Sequence, residues 1–113
     1  MRTRLIFLLF AFVIINHIQA IDFNFRHYKV EEGLSENSVF CSLQDSKGFM
    51  WFGTKEGLNR FDGRNFVVFH KEPNKKNSLE NSFIHALYED QKKNIWVGTE
   101  EGIYLYDYLK NTF

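Results

Sequence analysis

Disulfide bonds, proline punctuation and a charge of one sign are all missing from this chain of 113 residues. It has one cysteine, Cys41, so no intrachain disulfide can form and no thiolate cluster is available for a metal. Its one proline, Pro73, stands in an Asn- and Lys-rich cluster and marks a connector. Fourteen basic and fourteen acidic residues cancel, which argues against nucleic acid as a partner. The longest apolar run, the eleven residues from Leu5 to Ile15, is too short for a comfortable membrane span, which takes about 20. Catalytic groups are equally scarce. His17, His27, His70 and His85 have no Cys or carboxylate at metal-ligand spacing, and no nucleophile, base and orienter can be assembled. No glycine-rich phosphate cradle is present either. The residues therefore point to no catalysis, no cofactor and no metal in this chain.

What is abundant is aromatic. Aromatics make up 18% of the chain within a hydrophobic content of 44%, a composition that suits half-buried strands and an all-β core. An internal repeat organises them: Trp51 to Leu58, W-F-G-T-K-E-G-L, returns as Trp96 to Ile103, W-V-G-T-E-E-G-I, 45 residues later. Leu34 to Asp62 aligns without a gap on Leu79 to Asp107 with nine identities. Asp45, Trp51, Gly53, Thr54, Gly57 and Asp62 match Asp90, Trp96, Gly98, Thr99, Gly102 and Asp107, and Leu34, Lys47 and Glu56 match Leu79, Lys92 and Glu101. Apolar pairs keep the same register, among them Met50/Ile95, Phe52/Val97 and Phe61/Tyr106. A period of about 40–45 residues rich in strand formers is that of a β-propeller blade with four antiparallel strands. Cys41 aligns with Ala86, so its position asks for a small apolar group and the thiol reads as inert core.

Residues 1–20 read as a secretory signal peptide. Arg2 and Arg4 precede the apolar run, polar Asn16, His17 and Gln19 follow it, and Ala20 supplies a small residue for cleavage. Bulky Ile18, third from the cut, leaves an uncleaved anchor as the alternative. Cleavage removes Arg2 and Arg4, so the remaining 21–113 carries twelve basic and fourteen acidic residues, a net charge of −2.

The mature chain is expected to be an incomplete propeller: a closure strand over 23–30, blade one over 34–70, a linker over 71–78 and a truncated blade two over 79–113. Asn24, Phe25 and Tyr28 match Asn65, Phe66 and Phe69 at an offset of 41, so the chain opens with a copy of a blade's last strand. Blade one is expected at Ser38 to Gln44, Phe49 to Thr54, Leu58 to Asp62 and Asn65 to His70, and blade two at Phe83 to Glu89, Ile95 to Thr99 and Gly102 to Tyr106. The unbroken apolar run Phe49 to Thr54 predicts a strand covered on both faces. Asp45-Ser46-Lys47-Gly48 predicts a turn with Gly48 left-handed. In the second copy Lys93 replaces Gly48 and Asn94 follows it, so the turn is expected to shift by one residue onto Asn94.

Asn and Ser before Val39, then Asp45-x-x-Gly48-x-Met50-Trp51-Phe52-Gly53-Thr54-x-x-Gly57-Leu58-x-Arg60-Phe61-Asp62, resemble the two-component regulator propeller repeat. Phe25-x-x-Tyr28 through Glu32-Gly33-Leu34-Ser35 resembles the start of the sensors built from it, in hybrid two-component histidine kinases of Bacteroidota. The resemblance implies the N-terminal part of a periplasmic sensor whose parent is anchored in the inner membrane. Its ligands would be oligosaccharides, and its partners the remaining blades and downstream signalling domains, none of which lies in these residues. A fragment of a secreted propeller enzyme of polysaccharide lyase type, or a passive binding scaffold, remains as the alternative. No ligand-binding residue can be named. Trp51 and Trp96 could stack on a sugar, yet their recurrence inside apolar runs reads as blade packing. Glu56 and Glu101 read as solvated turn residues, and His85, aligned with Phe40, as part of an exposed strand face. Bare blade faces invite self-association.

Overall fold

The computed structural model describes residues 2–15 and 20–113. A helix, α1, runs Arg2–Ile15 through the apolar run; Asn16, His17 and Gln19 of the cleavage region lie outside the described residues. Among the described residues no helix is long and apolar enough to cross a membrane.

Two antiparallel sheets follow. The first contains β1 (Val39–Gln44), β2 (Met50–Thr54), β3 (Leu58–Phe61) and β4 (Phe66–Phe69) in the order β1-β2-β3-β4. The second contains β5 (Ile84–Glu89), β6 (Ile95–Thr99) and β7 (Ile103–Tyr106) in the order β5-β6-β7. Each is a meander, a partial propeller of one four-stranded and one three-stranded blade. The repeat extends to the register. Trp51 pairs with Leu43 and Arg60, and Trp96 pairs with Tyr88 and Leu105, each 45 residues on. Both inner strands also slip at the same place, between Val39 and Cys41 and between Ile84 and Ala86, which leaves Phe40 and His85 as the extra residues of matching bulges.

The period of two along β2 sends Trp51 and Gly53 to one side and Met50 and Phe52 to the other. The Trp51 side meets blade two. Trp51, Leu58, Leu79, Ile84, Ile95, Val97 and Tyr106 form the buried core between the sheets. Each fully buried aliphatic side chain there contributes about 1.5–3 kcal/mol.

Three expectations differ from the structure. Residues 20–29 form no strand, and Val30–Glu32 is a short 3-10 helix, because a closure strand takes its ladder from the edge of another blade and none lies beside it. The covering of β2 is also unequal. Trp51 is fully buried by blade two while Met50 and Phe52 are half-buried, and in β6 the pattern reverses, with Ile95 and Val97 buried and Trp96 exposed. A blade covers only the face it touches. Finally, the turn of the second copy does not shift. Lys93 itself takes the left-handed conformation, φ 69°, as Gly48 does at φ 90°. Asp90 accepts hydrogen bonds from the amides of Lys92 and Asn94 and from the Asn94 side chain, and these hold the loop despite the strain at Lys93.

Candidate functional site

The repeat motif turns out to be a set of turn locks. Asp45 Oδ1 accepts from the amides of Lys47 and Phe49, and Oδ2 accepts from the Trp51 indole at 2.7 Å. Asp90 does the same for Lys92, Asn94 and Trp96. The carboxylate thus closes the β1–β2 and β5–β6 hairpins and aims each indole out of its sheet. At the opposite end Thr54 Oγ1 donates to the Gly57 carbonyl and accepts from the Glu56 amide, a pattern repeated by Thr99, Gly102 and Glu101. Gly57 has φ 151°, and a Cβ there would stand 2.7 Å from the Phe69 carbonyl oxygen. Asp62 caps Arg64 and Asn65, and Asp107 caps Leu109 and Lys110. Every one of these residues has a local backbone task. Glu56 and Glu101 are exposed turn residues.

Electrostatics centre on Asp45, which is buried between the blades. Burial pushes its carboxyl up, but hydrogen bonds from Trp51, the Tyr108 hydroxyl and the Phe49 and Lys47 amides outweigh this and hold it below the ordinary value. Half-buried Asp90 is held at about 2, mainly by Trp96 and the Asn94 amide. Burial and the Asp45 contact together raise Tyr108. On the same interface Arg60 Nη1 donates to the Tyr106 hydroxyl at 2.6 Å and to Asn111 Oδ1 at 3.1 Å. Trp51 lies edge-on to Tyr106, centroids 4.9 Å apart, and stacks on Phe69 at 6.2 Å. No ligand can reach Trp51, whereas Trp96 keeps 38% of its surface exposed.

The end of the blades that carries the Thr54 and Thr99 turns also carries the starts of the inner strands and the β4–β5 connection. Three side chains meet there on the two bulges. Phe40, 54% exposed, lies 5.0 Å edge-on to Phe83, and Phe83 lies 4.0 Å from the His85 ring. Glu100 Oε1 approaches His85 Nε2 at 3.8 Å. The connection between β4 and β5 forms an open pocket of about 640 Å³, lined by Lys71, Glu72, Asn74, Asn77 and Glu101 among others. Asn74 and Asn77 hold left-handed turns in it. His27 and His70 are exposed and stand apart from this cluster, and no group of three His, Cys, Asp or Glu able to hold a metal occurs among the described residues.

Sequence reading missed the polar residues that occur in one copy only. Asn59 is fully buried; its side chain accepts from the Ser35 amide and donates to Ser35 Oγ, which in turn meets Thr54 Oγ1 at 2.7 Å. This ties the stretch before β1 to the β2–β3 hairpin. An asparagine inside an apolar strand was the available signal. Arg60 and Tyr108 had none, because their counterparts in the other copy are Leu105 and Gly63.

Comparison with known proteins agrees with this geometry. The family model described as two component regulator propeller matches residues 33–56 and 78–101. Histidine kinase P4 of Formosa agariphila is 37% identical over 73 residues, covering 64% of this chain and 5% of that protein. The crystal structure of the extracellular domain of the hybrid two component system BT3049 from B. thetaiotaomicron superposes with a TM-score of 0.71 at 35% identity, over 78% of this chain and 12% of that one. This chain therefore spans a small part of either relative's length. Its two repeats, residues 33–56 and 78–101, match the two-component regulator propeller repeat, and its fold is similar to that of the extracellular domain of a hybrid two-component system.

Proposed function

We propose that this chain is the N-terminal part of a periplasmic sensor propeller that recognises oligosaccharides and passes the signal to a histidine kinase further along its parent. Residues 1–20 direct export, and the chain itself contributes binding and no catalysis. The observation that carries the reading is the pair of in-register repeats together with their likeness to the extracellular domain of a hybrid two-component system. Local chemistry supports the ligand class. Exposed Phe40 and half-buried Phe83 offer apolar ring faces for sugar C–H groups, while Lys71, Glu72 and Asn77 offer donors and acceptors for hydroxyls.

Oligosaccharides prepared by partial hydrolysis of several polysaccharides, screened by their effect on the melting temperature of the protein, test this. At least one should raise the melting temperature of the native chain but not of Phe40→Ala, whose own melting stays close to the parent's because the side chain is exposed. No shift with any oligosaccharide contradicts the ligand class. Shortening of the oligosaccharide during incubation favours the polysaccharide lyase reading instead. The DNA downstream of codon 113 should encode further W-x-G-T-x-x-G-[LI] repeats, a membrane helix and a kinase; a catalytic domain in their place would replace the sensor with an enzyme.

A further inference from the structure

The extra residues of the two matching bulges, Phe40 and His85, stand on neighbouring blades and are joined by the ring of Phe83. The three rings form a row, with Phe40 and Phe83 5.0 Å apart edge-on and Phe83 and His85 4.0 Å apart. A bulge takes its extra residue out of the ladder and re-aims the side chain, a device found beside binding and active sites. Both strands that frame the row, β1 and β5, are in place. Strand β5 packs close on blade one because Gly53 has no Cβ to meet Ile84. The row therefore owes its geometry to two blades already packed on each other.

The row ends in a polar pair. His85 Nε2 and Glu100 Oε1 are 3.8 Å apart, and both side chains are exposed. That distance is too long for a hydrogen bond, so neither group satisfies the other. Their backbones are held. Thr99 Oγ1 accepts from the amides of Glu101 and Gly102 around the turn that carries Glu100, and the Phe83 amide donates to Asn81 Oδ1. The segments that line the β4–β5 pocket run into the row, since the Lys71 amide donates to Ser82 Oγ, next to Phe83, and Glu101 follows Glu100.

Two atoms 3.8 Å apart can share one hydroxyl, because an oxygen about 2.8 Å from each can donate to Glu100 and accept from the imidazole N–H. The carboxylate favours the tautomer with its proton on Nε2. Only a group that both donates and accepts fits this gap. A ligand carboxylate accepts from His85 but has no proton for Glu100 and meets its charge; an ammonium donates to Glu100 but has no lone pair for the imidazole. Sugar hydroxyls do both, and the Phe40 ring in the same row supplies an apolar face for sugar C–H groups. The pair occurs in one copy of the repeat, because the equivalent positions in blade one are Phe40 and Lys55.

We propose that His85 and Glu100 read one hydroxyl of a bound oligosaccharide while Phe40 and Phe83 carry its ring, so that the site takes uncharged sugars and rejects uronates. This rests on the oligosaccharide reading above and adds to it the charge class of the ligand and two residues that touch it.

The test uses the full chain and matched probes: oligosaccharides from starch, cellulose, mannan and galactan, each also in a form whose primary hydroxyls have been oxidised to carboxylates. Binding is followed by NMR titration of the His85 ring protons, assigned by their absence in His85→Gln. A neutral probe should shift those signals and bind about tenfold or more tightly than its oxidised form. Glu100→Gln, which keeps an acceptor but removes the charge, should close most of that gap, and His85→Ala should weaken the neutral probe about fivefold. Both side chains are exposed, so the variants keep the fold, as a circular dichroism melt checks. Equal affinity for neutral and oxidised forms, or a gap that Glu100→Gln leaves intact, overturns the proposal while the oligosaccharide reading stands. Binding that spares the His85 signals does the same. Failure of every probe, neutral and oxidised, overturns both.

Discussion

Asp45 gathers donors from both blades on its two oxygens. It receives two amides of its own hairpin, the indole of the next strand and the hydroxyl of Tyr108 from the other blade. Asp45→Ala strands two of those donors in the interface, at a cost of about 2–4 kcal/mol, while Asp90→Ala, whose Trp96 can turn to water, should lower the melting temperature less. The pH dependence has a definite sign. Both carboxyls sit below their ordinary value in the folded chain, Asp90 at about 2, so their stabilisation is full above about pH 4 and fades as pH falls toward 2. Melting temperature against pH should therefore drop across that window, and less steeply in Asp45→Ala. These aspartates, like Thr54, Gly57 and Asp62, were legible because each occurs twice at one spacing. Asn59, Arg60 and Tyr108 were not, since a residue present in one copy carries no repeat signal and its partner lies far away in sequence.

Strands were the most legible elements. Seven were expected in the two blades and seven are there, with ends differing by about one residue, because alternating apolar residues and Asp- or Gly-containing turns specify a meander locally. Features that depend on neighbours were hidden. The bulges at Phe40 and His85 leave no trace in the residue pattern, and the fate of residues 23–30 depends on an edge supplied from elsewhere. Glycine at the repeat position after the tryptophan also differs between copies. A Cβ on Gly53 would intrude on the Cys41 sulfur and stand 2.7 Å from Ile84 Cγ2, whereas on Gly98 its nearest neighbour is Ala86 Cβ at 3.4 Å. Gly53→Ala should thus destabilise by about 1–3 kcal/mol through overpacking, and Gly98→Ala should be nearly neutral, as chemical denaturation of the two variants would show.

At the scale of the whole molecule, α1 stands apart from the two sheets in composition as well as in sequence position. Its residues Leu5, Ile6, Phe7 and Leu8 are exposed. N-terminal sequencing of the exported protein should read Ile21 first; a chain that begins at Met1 would make the segment an anchor.

The meander order of both sheets has a consequence for the rate at which the chain becomes structured. Every ladder joins strands that are neighbours in sequence, and the longest loop inside a sheet is the five residues between β1 and β2 or between β5 and β6. Loop-closure entropy grows with the separation of the ends, so each sheet can zip from its own hairpins without waiting for distant chain. Chain threaded across a membrane from its N-terminus would therefore complete β1 to β4 while β5 was still inside. The first sheet would then present the Trp51 face as a ready surface on which the second condenses.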